Sequence, residues 1–357
     1  MNFNSFFLKS FRVLLLPFAL LYGIIIIIRN FLYTTKILKS AVFNFPLICV
    51  GNLVVGGTGK SPMVEYLVEL LYPHFKIATL SRGYKRKTKG YALAHENTTA
   101  LDIGDEPMQF HIKYPEVPVA VGEERIVAIP QLLHDKPETQ AIILDDAFQH
   151  REVKAGLNIL LTQYDDLYTR DFFMPTGDLR DQRGSAERAE IIIVTKCPAD
   201  MDVAEKKEIQ KELDLNKKQQ LFFTAIQYGY CYHIVTRELR AITDQDEVLL
   251  VCGIADPKPL KQYISEHSFT YYQMEFGDHH IFRIDDLRDI KRKFESIAAE
   301  KKMIITTEKD AVRLMKFSEE LIQIPLYVLP VRHHFLFNEE QQFNTTVIDF
   351  IKNFKVE

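Results

Sequence analysis

The sequence predicts an α/β fold: a mostly parallel sheet, a second, smaller α/β domain, and an N-terminal membrane-associated helix. Residues 54 to 61 read Val-Val-Gly-Gly-Thr-Gly-Lys-Ser directly after an apolar run. Short apolar runs recur downstream between helical stretches, and the chain begins with an apolar segment in which the first acidic residue is Glu65. The first two observations describe a sheet of the P-loop NTPase type, because a glycine-rich loop between a buried strand and a helix is built to surround phosphate. The third sets that sheet beside a membrane.

The N-terminal segment comes first. Residues 1 to 45 contain Lys9, Arg12, Arg29, Lys36 and Lys39 and no acid, although the whole chain carries −4. Basic charge gathered there favours anionic inner-membrane lipids as a partner and argues against nucleic acid. Between Arg12 and Arg29 lie sixteen uncharged residues, Val13 to Ile28. As a helix they reach ~24 Å, short of the roughly 30 Å hydrocarbon core. A helix lying in or dipping into the inner leaflet fits this best. A full span needs the flanking Phe6, Phe7, Phe11 and Phe31 and is weakened by Pro17 and Gly23, and a buried core helix is the remaining alternative. A cleaved signal peptide lacks a small-residue cleavage site, and export would strand a nucleotide site outside the cell.

Leu47-Ile48-Cys49-Val50 is apolar throughout and reads as a buried parallel strand; Met63 to Leu71 reads as the helix after the loop, with Pro62 where no N–H is missed. In this geometry the backbone N–H groups of Gly56, Gly57, Thr58 and Gly59 face phosphate oxygens, Lys60 neutralises the terminal phosphates, and the Ser61 hydroxyl reaches Mg2+. Val54 stands where the full pattern has glycine. Val55 precedes the paired glycines where sandwich-dimer ATPases carry a signature lysine. Thr195-Lys196-Cys197-Pro198 lacks the aspartate that a GTPase would use.

Strands follow at Lys76 to Leu80, Val117 to Val121, Ala141 to Leu144, Leu157 to Leu161 and Ile191 to Thr195, with helices or loops between them. Ala141-Ile142-Ile143-Leu144-Asp145-Asp146 ends in two carboxylates, where a phosphate-loop protein holds Mg2+ through hard oxygen ligands. Around Leu221 to Val235 the pattern is strand-like with no helix. A second α/β unit begins at Val248 and continues through Tyr271 to Met274, a helix near Asp285 to Ala298, Met303 to Thr306 and Leu326 to Leu329. The expected division is 1–45 apolar helix, 46–225 P-loop core, 226–245 connector and 246–357 smaller α/β domain. A chain of 357 residues, 47% hydrophobic and 26% charged, is long enough for two cores. Its four cysteines, at 49, 197, 231 and 252, have no metal-ligand or paired spacing, which fits a reducing cytoplasm.

Asp145-Asp146-Ala147-Phe148-Gln149-His150-Arg151 resembles the Asp-Asp-Gly-Phe-Gln-His signature of the tetraacyldisaccharide 4'-kinase family, the lipid A 4'-kinases of Gram-negative bacteria. Further similar segments run in order: Gly51-Asn52-Leu53 with the loop, Leu80-Ser81-Arg82-Gly83-Tyr84, Gly104-Asp105-Glu106-Pro107, Val121-Gly122 with Arg125, Pro175 to Asp181, Val194-Thr195-Lys196, Gly253-Ile254-Ala255, Phe276-Gly277-Asp278-His279, and Thr307 to Val312. Departures are Ala147 for glycine, Asp181 for glutamate and Asp256 for asparagine.

The resemblance implies transfer of the γ-phosphoryl group of ATP, with Mg2+, to the 4'-hydroxyl of an acylated disaccharide 1-phosphate lipid at the cytoplasmic face of the inner membrane, giving lipid IVA. It implies no obligate protein partner. Asp105 becomes the candidate base and His279 its partner across the domain cleft. Ser61, Asp145 and Asp146 become the metal set, and Arg82, Tyr84, Glu106, Arg125, Gln149, His150 and Arg180 the candidate substrate contacts. The basic run Arg82 to Lys89 is a candidate receiver for the 1-phosphate or for anionic headgroups. The alternative of another class is a non-catalytic membrane-bound ATPase, which would share the loop and Asp145-Asp146 but have no need of Asp105 or His279.

Overall fold

The computed structural model describes residues 12–355. Phe6, Phe7 and Phe11 lie outside the described residues. The strands are β1 Ala41–Val42, β2 Leu47–Asn52, β3 Ile77–Ser81, β4 Ala92–Leu93, β5 Val119–Val121, β6 Ala141–Asp145, β7 Val153–Lys154, β8 Leu157–Gln163 and β9 Ile191–Thr195. Then follow β10 Gln220–Tyr228, β11 Cys231–His233, β12 Leu239–Arg240, β13 Glu247–Cys252, β14 Thr270–Glu275, β15 Lys302–Thr307, β16 Leu326–Leu329 and β17 Val331–Phe335.

The first sheet has nine strands in the order β17-β10-β9-β8-β2-β6-β3-β5-β4. Pairing is parallel from β10 to β5 and antiparallel at the two edges. Helices cover both faces, so the central strands are buried on both sides and their sequences are continuous apolar runs rather than alternating ones. All six residues of β2 and all five of β6 are buried. Val50 lies opposite Asp145. The phosphate loop and the Asp145-Asp146 pair therefore leave neighbouring strands at the same carboxyl edge, where open α/β sheets bind ligands.

A second sheet of six strands has the order β12-β11-β16-β15-β13-β14, with β16 to β14 parallel. Its helix Glu308–Leu314 docks on the helix Asp105–Lys113 of the first unit through three ion pairs. These are Glu308 with Lys113 at 2.7 Å, Lys309 with Glu106 at 2.7 Å, and Arg313 with Asp105 at 2.7 Å.

Sheet membership corrects the expected division. Residues 226 to 228 belong to β10 in the first sheet, while β11 and β12 belong to the second, so no separate connector spans 226–245. The chain crosses at Gly229, and it crosses back at Pro330, after which β17 pairs antiparallel with β10. Gly229 N–H donates to the Pro330 carbonyl at 3.1 Å, and a Cβ on Gly229 would lie 3.0 Å from the Pro330 ring. The helix Glu340–Lys352 buries Phe343, Val347 and Ile351 in the first core. The last stretch of the expected smaller domain thus completes the larger one, because its apolar stripe matches the face left open beside β10.

At the N-terminus a turn at Val13–Leu15 leads into the helix Leu16–Thr34. The helix runs on past Arg29, whose guanidinium turns inward and donates to the Gln149 carbonyl at 2.9 Å. Residues Val13–Thr34, with mean hydropathy 2.2, are long and apolar enough by length and composition to cross a membrane. One stripe faces protein: Ala19, Gly23 and Asn30 are buried, and a Cβ on Gly23 would lie 2.7 Å from the Phe173 ring. Arg12 pairs with Asp178 at 3.0 Å, the Tyr22 hydroxyl donates to the Arg180 carbonyl at 3.0 Å, and Asn30 donates to Asp181 at 2.7 Å. The opposite stripe, including Ile24, Ile25, Ile27 and Ile28, is exposed.

Candidate active site

Beyond β2 the chain forms an open loop. Gly59 takes φ +85, the left-handed conformation that spares a glycine the Cβ clash, and no atom lies within 4 Å of where Cβ atoms on Gly56 or Gly57 would sit. The helix Lys60–Leu71 then begins, three residues earlier than its apolar pattern predicts, so its N-terminal N–H groups open onto the loop. Lys60 Nζ donates to Asn52 Oδ1 at 3.2 Å and lies 3.7 Å from Asp146 Oδ1. Two donors of this cradle, Thr58 Oγ1 and Asn52 Nδ2, are buried with no hydrogen-bond partner among the described residues. Open glycines, a lysine and orphaned donors are the chemistry that fits nucleotide phosphates.

Asp145 ends β6, and among the described residues its carboxylate accepts one hydrogen bond, from Ser81 Oγ at 3.2 Å. Burial raises its carboxyl to about 7, and the negative charges of Glu106 and Asp146 add to the rise. Asp146 sits at φ +48 and is held on both oxygens by Arg180. Burial opposes its ionisation, but the Arg180 hydrogen bonds and the charge of Lys60 carry it down to about 2. Ser61 Oγ donates to Glu106 Oε1 at 3.0 Å, and Glu106 also receives Lys309. Among the described residues no cluster of three or more His, Cys, Asp or Glu is arranged around one metal point. A buried carboxylate pushed toward its neutral form does fit a dication, with Ser61, Asp145 and Asp146 as protein ligands and phosphate and water supplying the rest of a hard-oxygen shell.

Asp105 opens the helix Asp105–Lys113 after Gly104, whose φ is +94 and where a Cβ would meet the Tyr84 carbonyl at 2.9 Å. His279 stands across the cleft at φ +62, with Nδ1 3.1 Å from Asp105 Oδ2. The structure thus brings together two residues 174 positions apart. Arg313 joins them, donating from Nε at 3.0 Å and Nη2 at 2.7 Å to the same Oδ2. Burial raises the Asp105 carboxyl, but the Arg313 bonds and charge, followed by His279, hold it below the usual carboxylate range.

The remaining sequence candidates separate into two groups. Arg180, Gln149 and Glu106 line the loop: Arg180 caps Asp146, and Gln149 Nε2 donates to the Asn52 carbonyl at 2.5 Å. Arg82 is exposed at the end of β3, and Tyr84 is exposed with its ring 6.1 Å from that of His279. Burial, then the charges of Arg125 and Arg82, lowers His150 to about 4. Arg125 is instead fully buried, donating to the Gly122 and Asp145 carbonyls, so it reaches the cleft through Asp145 rather than by contact. Within the basic run, Arg86 is committed to Glu123 at 2.7 Å, while Lys85, Lys87 and Lys89 are exposed.

Sequence reasoning missed Arg313, Lys309 as a Glu106 partner, and His333, which bonds the loop from β17. Arg313 directly follows the Thr307 to Val312 segment, the one signal that could have found it.

A model of the tetraacyldisaccharide-1-P 4'-kinase family matches residues 11–352. The chain belongs to this family. The tetraacyldisaccharide 4'-kinase of Flavobacterium johnsoniae is 48% identical over 342 residues, covering 96% of this chain and 97% of its own. That of Bacteroides thetaiotaomicron is 42% identical over 354 residues, covering 95% and 93%. The fold is similar to that of Aquifex aeolicus LpxK in complex with ATP, with TM-score 0.74, 27% identity, and coverage of 96% of this chain and 99% of that one. The reaction is accordingly ATP-dependent, Mg2+-assisted phosphorylation of the 4'-hydroxyl of tetraacyldisaccharide 1-phosphate, a step of lipid A biosynthesis. A non-catalytic ATPase is set aside by the same findings.

Proposed function

We propose that this transfer takes place in the cleft between the two sheets, with Asp105 accepting the proton of the sugar 4'-hydroxyl and His279 as its partner. The observation that supports this reading is the 3.1 Å contact between them, made from opposite sides of the cleft. A base must stand within reach of the proton it removes, and a carboxylate kept ionised by Arg313 is ready to receive one. The 4'-oxygen forms a bond to the γ-phosphorus. The bond from that phosphorus to the β,γ-bridging oxygen breaks, its electron pair leaving with ADP, and the proton passes to Asp105.

The N–H groups of Gly56 to Gly59 and Lys60 hold the phosphates, and the lysine offsets charge that grows on the transferred group. Ser61, Asp145 and Asp146 would hold Mg2+, which would neutralise phosphate charge when bound. Arg82, Tyr84, Glu106, Gln149, His150 and Arg180 face the acceptor, with Arg125 behind them.

The helix Leu16–Thr34 lies along the cytoplasmic face of the inner membrane rather than spanning it. Arg29, Asn30 and Tyr22 tie one stripe to the first unit, and the exposed isoleucines of the other stripe meet acyl chains.

Purified protein, labelled ATP and the disaccharide 1-phosphate in mixed micelles test the reading. Label should appear on the 4'-position with wild type and not with Lys60→Ala, which should remain folded. Near-wild-type labelling by Lys60→Ala would overturn the phosphate-loop assignment.

A further inference from the structure

Asp105 is held on one side only. Among the described residues its three side-chain contacts, from Arg313 Nε, Arg313 Nη2 and His279 Nδ1, converge on Oδ2, and no hydrogen bond reaches Oδ1. Arg313 is itself locked: its side chain is 7% exposed, and Nη1 lies 3.4 Å from Asp310 Oδ1. Asp310 in turn accepts Gly253 N–H at 2.9 Å and the Thr307 hydroxyl at 2.8 Å. The guanidinium is therefore a fixed fork projecting from the second sheet onto one oxygen of the base.

The donor inventory sharpens the point. Arginine only donates, and Nη2 lies 2.7 Å from Asp105 Oδ2 and 2.9 Å from His279 Nδ1. With one N–H directed at each, His279 Nδ1 is an acceptor and the ring proton of neutral His279 sits on Nε2. That nitrogen faces Asp278 at 3.8 Å, beyond hydrogen-bond length. The imidazole and the carboxylate both accept from the same arginine nitrogen.

We propose that Arg313 is a positioning residue for the phosphoryl transfer: it clamps Oδ2 of Asp105 across the cleft, orients His279, and leaves Oδ1 as the oxygen that meets the acceptor hydroxyl. The inference rests on Asp105 being the base. A carboxylate pinned through one oxygen has its free lone pairs in a fixed direction, which matters because small displacements of a catalytic group cost rate steeply. The clamp also forms only when the two units meet, so the base is oriented when the cleft is closed. The charged groups around it are His279 and Asp278 on the turn after β14, Lys309, Asp310 and Arg313 on the helix Glu308–Leu314, and the adjacent Glu106.

Arg313→Met and Arg313→Lys test the clamp, with rates measured across pH and folding checked by thermal unfolding. Arg313→Met should lower kcat by about tenfold or more, leave the KM for ATP within about twofold, and move the acid limb of the kcat/KM profile to higher pH, since the carboxylate loses the cation that keeps protons off it. Arg313→Lys should restore the acid limb but only part of kcat, because an ammonium carries the charge without the fork. A folded Arg313→Met with wild-type rate and profile would overturn the proposal. So would a rate loss in both variants with an unmoved acid limb, the mark of a merely structural pair. If Arg313→Met does not fold, full recovery of kcat in Arg313→Lys would still overturn the fork argument, and partial recovery with an unmoved acid limb would support it. Asp105→Asn separates the two layers. Retained activity there removes the base reading, and with it the clamp, whereas an inactive Asp105→Asn beside an unaffected Arg313→Met removes the clamp alone.

Discussion

His333 Nε2 lies 2.9 Å from the carbonyl oxygen of Gly59, at the end of the phosphate loop where the helix begins. A carbonyl only accepts, so the ring proton is on Nε2, and Nδ1 accepts the Thr224 hydroxyl at 2.9 Å. Strand β17, which returns from the second sheet, thus holds the loop at the residue whose left-handed backbone starts the helix. The returning strand thereby supports the proposed nucleotide site, although no candidate residue was expected there.

Replacing His333 with alanine should raise the KM for ATP more than it lowers kcat, because the loop loses a support and none of its own phosphate contacts. Burial lowers the imidazole to about 4, so it is neutral when folded. The sign follows directly: the unfolded chain takes up this proton below about 6.5, the folded chain only near 4. The contribution of His333 is complete above the unfolded value and is lost as pH falls toward 4. Urea midpoints at pH 7 and pH 5 should differ more for wild type than for His333→Ala. Equal differences would show that this histidine does not govern the loss.

Asp145→Asn and Asp146→Asn should each shift the Mg2+ midpoint of activity upward, since each removes one anionic oxygen from a hard-cation site. The larger shift should belong to Asp145, whose carboxylate accepts a single hydrogen bond among the described residues, whereas Asp146 is already matched by Arg180 and Lys60. Titration of activity with Mg2+ after chelator treatment reads this directly. Unchanged midpoints in both variants would remove them as ligands.

What the sequence made legible was whatever burial writes into consecutive residues. Strands β2 and β6, buried on both faces, appear as unbroken apolar runs, and the residues at their carboxyl ends follow from the sheet. The passage between units was hidden for the opposite reason. Residues 220 to 233 are extended almost throughout, and only the partner strand, β17 for Tyr228 and β12 for Cys231, tells the two apart. Arg313 was invisible because its meaning lies in an oxygen 208 residues away. Asp181, shorter than the usual glutamate, is buried and accepts Asn30, Ser185 and Arg188, so at this position the carboxylate serves to hold the N-terminal helix.

That helix presents a second test. Ile25→Lys with Ile28→Lys places two charges on its exposed stripe and leaves the inward contacts of Tyr22, Arg29 and Asn30 intact. Binding to vesicles of anionic phospholipid should fall, and the KM for lipid acceptor should rise more than the KM for ATP, with thermal stability unchanged. Undiminished vesicle binding would show that another surface carries the membrane contact.

The decisive test concerns Asp105 and His279 together. They lie on different units, and their joint value exists only when the cleft is closed over ATP and sugar. Either alanine substitution should lower kcat roughly 10²–10⁴-fold with a smaller effect on the ATP KM, as expected of groups used mainly in the transition state. The two losses should not multiply. Once Asp105 is gone, His279 and Arg313 have no carboxylate to orient, so removing His279 as well should cost little more. Single-turnover rates of the two single variants and the double variant close this cycle. Fully multiplicative losses would mean that His279 acts independently of Asp105. The 3.1 Å approach between them would then be a packing contact of the turn after β14, and the base would have to be oriented by Arg313 alone.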